Sequence, residues 1–212
     1  MKIDVYADVV CPWCYVGERR LEQALAERPN LAVERHWRPF QLRPEMPAGG
    51  MPRAEVLGRK FGGPERLRVM DERLAEVGAA DGIRFAWERV TNSPNTVDAH
   101  RLILFAAERR LEWPLAHALF AAYFTDGRDL NDHDQLVAAA ESVGVAGEEA
   151  RVYLASTRGM AAVAESQRTA EELGISGVPF YVIDDRYGLS GAQPVEVFLK
   201  VLDAYAGTAA VG

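Results

Sequence analysis

The chain has 212 residues, of which 49% are hydrophobic and 26% are charged, a composition that is ordinary for a globular protein. Its formal net charge of −7 argues against a strongly basic face, so nucleic acid is not an expected partner. No apolar run is long enough to span a membrane, and the short acidic start does not resemble a secretory signal. We therefore expect a cytoplasmic protein without membrane contact.

The first part of the chain, up to about residue 40, predicts a β-α-β unit. Apolar and polar residues alternate over positions 2–8, which is the period of a strand. The following helix ends before Pro29, and residues 31–40 predict a second strand that is closed by Pro39. One stripe of that helix is formed by Cys14, Gly17, Leu21, Ala24 and Leu25.

The middle of the chain, from about residue 45 to Gly174, is mostly helical by its apolar spacing, with residues 47–52 as a loop. Helices are predicted within residues 63–82, 92–110, 114–127, 132–144, 148–156 and 158–174. Two short strands follow at 178–184 and 187–191, and a closing helix begins near Pro194.

The two ends of the chain must contribute to one sheet, because neither has enough strands alone. We therefore predict an α/β fold with a β-α-β part and an α-β-β-α part. The sheet domain comprises residues 1–44 and 157–212, and residues 45–156 form an inserted, all-helical domain.

The only two cysteines of the chain, Cys11 and Cys14, lie at the junction between the first strand and the first helix. Cys11 is predicted at or near the helix N-cap, at an exposed tip, with Pro12 at the first helical position. The free N–H groups and the helix dipole stabilise an anion there, so we predict Cys11 as the nucleophile. Cys14 lies one turn further on the apolar stripe and is predicted as the buried resolving thiol, at a spacing that permits a disulfide.

The alternatives for the cysteine pair are two ordinary buried thiols or part of a zinc site. Structural zinc usually has four ligands, mostly Cys and His. The chain has no third cysteine, and its 4 histidines show no close paired spacing, so we predict no metal within one chain. A zinc ion shared between two subunits stays open, although C-x-x-C at such a turn favours redox chemistry.

Three further residues near the motif are candidates. Pro179 begins a predicted strand, and a cis Val178–Pro179 bond would free the backbone of Val178 for an extended substrate, although trans is the commoner form. Asp8 precedes Cys11 by three residues and is either a proton acceptor for a cysteine or a simple turn residue. Trp13 is predicted as an exposed contact for substrates, with packing onto the insertion as the alternative.

Asn95 and Asp98 are predicted as a helix N-cap and its partner three residues later. His100 follows on the same helix. We interpret it as packed rather than catalytic.

The ordered set of motifs resembles the DsbA-like thioredoxin superfamily over the whole chain. The resemblance rests on Cys11-Pro12-Trp13-Cys14 after a strand, a helical insertion, and Gly177-Val178-Pro179-Phe180 before a β-β-α end. WRPFQL at 37–42, PNTVDAHRL at 94–102 and LSGAQP at 189–194 resemble its FrnE-type cytosolic branch. The resemblance implies a thioredoxin fold, a redox-active Cys11–Cys14 pair, a cis bond before Pro179 facing that pair, and a substrate site near Asn95 and Thr96.

The insertion also resembles that of 2-hydroxychromene-2-carboxylate isomerases and kappa-class glutathione transferases, which typically have Ser where this chain has Cys11. Having both cysteines favours a cytosolic thiol–disulfide oxidoreductase, or a disulfide isomerase, that acts on protein clients or small disulfides. The alternatives are a glutathione-dependent isomerase or transferase of a small aromatic substrate, and a non-enzymatic client-binding protein. We predict no cofactor, with glutathione as a candidate co-substrate, and make no prediction of oligomeric state.

Overall fold

The computed structural model describes residues 1–209. Its strands are β1 (Lys2–Ala7), β2 (Glu34–Pro39), β3 (Met51–Pro52), β4 (Asn92–Ser93), β5 (Phe180–Ile183) and β6 (Tyr187–Ser190). Four of them form one sheet in the order β2-β1-β5-β6, in which β1 is parallel to β2 and antiparallel to β5. The two ends of the chain therefore contribute to one sheet, as predicted.

The helices in the described part of the chain are α1 (Pro12–Ala26), α2 (Arg53–Phe61), α3 (Pro64–Ala80), α4 (Val97–Ala107), α5 (Glu112–Phe124), α6 (His133–Ser142), α7 (Gly147–Ala155), α8 (Met160–Glu172) and α9 (Val195–Ala209). A short 3-10 turn lies at Trp87–Arg89. Each segment predicted as helical overlaps one of these helices, although α5 and α7 begin one or two residues before the predicted segments. Among the described residues, none of the helices has the length and apolar character needed to cross a bilayer.

The insertion is not entirely helical, which corrects the prediction. Met51–Pro52, within the predicted loop, pairs antiparallel with Asn92–Ser93 to form a small ribbon that precedes α2 and α4. Strands of two residues are too short to show a period, so the sequence pattern does not reveal them. Helix α2 was also not predicted. The domain boundaries near 45 and 156 stay a prediction, and residues 210–212 of the second predicted range lie outside the described residues.

Strand β1 lies in the interior of the sheet and is covered on both faces. Ile3, Val5 and Ala7 join the main core, whereas Tyr6 packs on the opposite face against Ala170 of α8. Asp4 is also buried on that face, where its carboxylate forms ion pairs with Arg38 at 2.8 Å and with Lys2 at 3.1 Å. The face of β1 that looks polar in the sequence is therefore buried. Pairing with Arg38 and Lys2 offsets the cost of burying the Asp4 charge.

Helix α1 is held between the sheet and the insertion by two close contacts. The ring of Tyr15 stacks on Phe120 of α5 with centroids 4.9 Å apart. On the sheet side, a Cβ placed on Gly17 would lie 2.5 Å from the Tyr181 hydroxyl and 3.0 Å from the Pro179 ring. Only glycine permits this approach of α1 to β5.

We predict that Gly17→Ala lowers the free energy of unfolding by about 1–3 kcal/mol, because the buried Tyr181 has to move. Gly58→Ala in α2 is the matched control, since a Cβ there has nothing within 4 Å. That change is expected to be neutral or to stabilise by up to about 1 kcal/mol through helix propensity. Urea denaturation of both variants measures the difference, and equal effects would contradict the close approach at Gly17.

Candidate active site

Cys11 occupies the junction that the sequence predicts for it. It is the N-cap of α1, Pro12 is the first helical residue, and the Cys11 amide donates to the carbonyl of Asp8 at 3.0 Å. The amides of Cys14 and Tyr15 donate to the Cys11 carbonyl at 3.0 and 3.3 Å. These three bonds hold the backbone of the turn, and the Cys11 side chain makes no capping bond.

Both cysteines are free thiols and both are buried, with Cys11 4% and Cys14 2% exposed. The prediction that Cys11 lies at an exposed tip is therefore wrong. The loop before β5 covers it, and the Cys11 sulfur lies 3.5 Å from the carbonyl oxygen of Val178. A zinc ion shared between two subunits would require both sulfurs to reach another chain, and their burial argues against that alternative.

The residue that is exposed in the motif is Trp13, with 40% of its surface accessible. Opposite it, the Val178–Pro179 peptide bond is cis. The carbonyl of Val178 faces Cys11, and Pro179 lies over Gly17, so the β5 loop covers the first turns of α1.

The two thiols differ in their tendency to ionise. The pKa of Cys14 is raised well above its usual value, mainly by burial, then by the hydrogen bond and charge of Cys11. The charge of Asp8 raises this pKa as well, whereas the Asp8 backbone amide opposes the shift. Cys14 therefore keeps its proton at neutral pH.

A cavity of about 300 Å³ leads to Cys11 between the motif and the insertion. Its apolar walls include Leu57, Phe61, Met70, Leu74, Trp87 and Phe124, and Trp13 and Val178 lie at the cysteine end. Its cationic side chains are Arg43, Arg53 and Lys60.

The cations of this cavity are not equivalent. Arg53 is buried, donates to both carboxylate oxygens of Asp71 at 2.6 and 2.8 Å, and lies over the Trp87 ring. Arg43 and Lys60 have no ion pair within the part of the chain that the structure describes. The cavity therefore offers one neutralised and two available positive charges beside a thiol.

Asp8 and His100 meet beneath the cysteine pair, where they are 1% and 0% exposed. The Leu42 amide donates to Asp8 Oδ2 at 2.9 Å, and His100 Nε2 lies 3.3 Å from Asp8 Oδ1. The Trp37 indole donates to His100 Nδ1 at 3.2 Å. His100 is packed, as interpreted from the sequence, but it also contacts Asp8, which sequence reasoning missed. The signal was present, since Trp37, Leu42 and His100 all lie in the segments 37–42 and 94–102.

Asn95 and Thr96 do not line the cavity, so their positions do not support a substrate contact. Thr96, not Asn95, is the N-cap of α4. Asn95 accepts from the Val97 amide at 3.0 Å and donates to the Met46 carbonyl at 2.6 Å, which fixes the loop before α2. Asp98 forms an ion pair with Arg101 and lies 2.8 Å from His133 Nε2, at hydrogen-bond distance, instead of completing a cap.

Among the described residues, one group of potential metal ligands lies between α1 and α5. Ligand atoms of Glu18, Glu22 and His117 lie within 4.8 Å of one another. Glu18 is paired with Arg35, and Glu22 with Arg19, so cations already neutralise both carboxylates. We interpret the group as an ion-pair network.

A family model for the DSBA-like thioredoxin domain matches residues 2–203. The chain belongs to this family. The fold is the DsbA-like thioredoxin fold with a helical insertion, and the family supports an oxidoreductase of the thiol–disulfide type.

Solved structures show the same fold. SCO1869 from Streptomyces coelicolor, described as a probable DsbA oxidoreductase, is 36% identical, with 98% of this chain and 90% of that chain covered and a TM-score of 0.89. The cytosolic disulfide reductase DsbM from Pseudomonas aeruginosa, solved with glutathione, is 19% identical over 97% and 99% of the chains (TM-score 0.69). A 2-hydroxychromene-2-carboxylate isomerase is 18% identical over 99% and 96% (TM-score 0.70).

We predict that iodoacetamide at neutral pH alkylates Cys11 and leaves Cys14 unmodified, because the raised pKa of Cys14 keeps that thiol protonated. In Cys11→Ala, burial still raises the pKa of Cys14, so alkylation of the folded protein stays slow up to about pH 9, near the ordinary thiol pKa. Intact mass gives the number of adducts, and the urea-unfolded protein is the control in which both thiols react. Faster labelling of Cys14 than of Cys11 would contradict the assignment.

Proposed function

We propose that this chain is a thiol–disulfide oxidoreductase in which Cys11 attacks a substrate disulfide and Cys14 resolves the mixed disulfide. The observation that carries the proposal is the asymmetry of the pair. Cys11 begins α1 and borders the cavity, whereas Cys14 lies one turn further, does not line the cavity and holds its proton. Membership of the DSBA-like family supports the same chemistry.

The reaction has two exchange steps. The Cys11 thiolate attacks one sulfur of the substrate disulfide, the substrate S–S bond breaks, and the first thiolate leaves and takes a proton from water. Cys14 then loses its proton and attacks the Cys11 sulfur, which releases the second substrate thiol. The substrate gains two electrons and the cysteine pair loses two. A thiol reductant returns the pair to the dithiol, and the reverse sequence oxidises a dithiol.

The cavity favours small or extended substrates. A disulfide on a folded protein surface cannot approach a sulfur that is buried behind Val178 and the cavity walls. A low-molecular-weight disulfide can enter a space of about 300 Å³, and Arg43 and Lys60 favour one that carries carboxylates. Glutathione fits this description, and the similar DsbM was solved with it. We propose the cytosol as the compartment, by similarity to the cytosolic DsbM. We extend the proposed activity to disulfide isomerisation only for protein clients whose disulfides lie in flexible, extended segments.

A glutathione-dependent isomerase or transferase is the second candidate. The aromatic walls of the cavity favour it, because Phe61, Trp87 and Phe124 can contact a small aromatic substrate beside a bound thiol. In that reaction Cys11 would not cycle through a disulfide, so Cys14 would be dispensable. The two candidates therefore differ in the fate of Cys14 variants.

We predict that Cys14→Ala accumulates a covalent adduct on Cys11 when the reduced protein meets glutathione disulfide, because no other cysteine is present to resolve it. Cys11→Ala accumulates almost none and loses exchange activity. Intact mass of both variants, treated in parallel, measures the adducts. Equal trapping would overturn the assigned roles, and turnover of wild type and Cys14→Ala at equal rates would favour the second candidate.

We predict that Lys60→Ala raises the KM for glutathione disulfide about two- to fivefold, the effect of losing one partly solvated charge contact. The uncharged hydroxyethyl disulfide should be reduced at an unchanged rate. Lys200→Ala on α9, which does not line the cavity, is the matched control. If Lys60→Ala affects both disulfides equally, the charge of Lys60 does not select the substrate.

A further inference from the structure

The charged side chains of the cavity at Cys11 are all of one sign. They are Arg43, Arg53 and Lys60, and among the described residues no aspartate or glutamate lines the cavity. Composition alone would favour the opposite, since the chain has 31 acidic and 24 basic residues. A molecule that enters the cavity therefore meets hydrocarbon and cationic donors, with no anionic partner for a positive group of its own.

The polar groups nearest to an exception do not change this balance. Asp71 does not line the cavity, and both of its carboxylate oxygens accept from the Arg53 guanidinium, at 2.6 and 2.8 Å. Tyr123 donates its hydroxyl proton to a backbone carbonyl at 2.8 Å, and burial raises its pKa, so it stays neutral. The hydroxyls of Ser93 and Ser176 offer only neutral acceptors.

The apolar walls are fixed by ring contacts. Trp87 stacks on Phe85 with centroids 4.8 Å apart, and Phe124 meets the Trp87 ring edge-on at 5.6 Å. The Arg53 guanidinium lies 4.7 Å from the centroid of Trp87. Helices α2 and α3 complete the hydrocarbon surface with Leu57, Phe61, Met70 and Leu74. Burial of a ligand's methylene groups against these walls is favourable.

These walls and charges distinguish two classes of small thiol. A carboxylate can pair with Arg43 or Lys60, the two cations of the cavity that have no ion pair among the described residues. An ammonium group would lose its water, find no carboxylate and be repelled by both cations. Thiols of the amino-acid type, such as homocysteine and glutathione, carry such an ammonium group, whereas simple thiol acids do not.

We infer that the preferred substrates of this cavity are disulfides of thiol acids, in which an apolar arm ends in a carboxylate and bears no amine. This inference rests on the proposed function and narrows its substrate class. In the reaction the substrate S–S bond breaks, two thiol acids leave with two electrons and two protons, and Cys11 and Cys14 form a disulfide. Glutathione disulfide, with an ammonium group in each half, is then an accepted but poorer substrate.

Homocystine and dithiodibutyrate make a matched pair, because they differ only in the α-ammonium group of each half. We expect dithiodibutyrate to oxidise the reduced protein about tenfold faster, since no ammonium group has to be desolvated. The uncharged dithiodibutanol should react about two- to fivefold more slowly than dithiodibutyrate, through loss of the charge contact. From dithiodipropionate to dithiodihexanoate, each added methylene should raise the rate about two- to fourfold.

The measurement is the second-order rate constant for a single turnover of the pre-reduced protein. Acid quenching, alkylation of the remaining thiols and intact mass give the oxidised fraction without any added reductant. Each constant is divided by that of the same disulfide with dithiothreitol, because the pKa of the leaving thiol also affects the rate. Equal normalised rates for homocystine and dithiodibutyrate would overturn the inference and leave the oxidoreductase standing. If none of the disulfides oxidises the protein, the proposed function itself is overturned.

A charge placed in the wall provides the reverse test. Met70→Glu supplies the missing anionic partner, so we expect the rate with homocystine relative to dithiodibutyrate to rise about tenfold. Val69→Glu is the matched control, because Val69 is the preceding residue on α3, is 55% exposed and does not line the cavity. It should leave the ratio within about twofold, the range of a screened surface charge.

Met70→Gln separates charge from size and should also leave the ratio near that of wild type. A Met70→Glu protein that folds, as judged by near-ultraviolet circular dichroism, but keeps the wild-type ratio would overturn the inference, because the discrimination would then arise outside this cavity. If Met70→Glu does not fold, the comparison of homocystine with dithiodibutyrate on the wild type decides.

Discussion

The contact between the Cys11 sulfur and the Val178 carbonyl joins positions that are 167 residues apart in the chain. It depends on β1 and β5 being adjacent strands, since β1 delivers Cys11 and the loop before β5 delivers Val178. It also depends on Gly17, because any side chain there would move α1 away from β5. The position of the Cys11 sulfur is thus set by sheet pairing, and residues of the insertion form the walls of the cavity that leads to it.

The order of elements was predictable because it follows from local signals. The strand period of β1, the apolar stripe of α1 and the first-turn proline at Pro12 together place both cysteines at the correct junction. The ribbon of β3 and β4 was not predictable, because two-residue strands carry no period. The N-cap of α4 shows the same limit. Whether Asn95 or Thr96 is the cap moves the start of the helix by only one residue, and both positions fit almost the same sequence pattern.

Burial was the hardest property to predict at the site. A C-x-x-C motif at a helix start indicates access to solvent, but access depends on residues that are distant in the chain, such as Val178 and Trp87. The contact of His100 with Asp8 was missed for a similar reason. Its spacing on α4 indicates only that it is packed, and its contact with Asp8 exists because the insertion folds back onto the end of β1.

Tyr15 illustrates a consequence of how the insertion is attached. Its ring stacks on Phe120 of α5, so α1 shares an apolar core with a helix that also contributes to the cavity wall. The two cysteines lie at the junction of β1 and α1, whereas the cavity walls come mainly from α2, α3 and α5. Because these are separate stretches of chain, a substitution in the walls can change the shape and charge of the cavity without changing any residue of the cysteine motif.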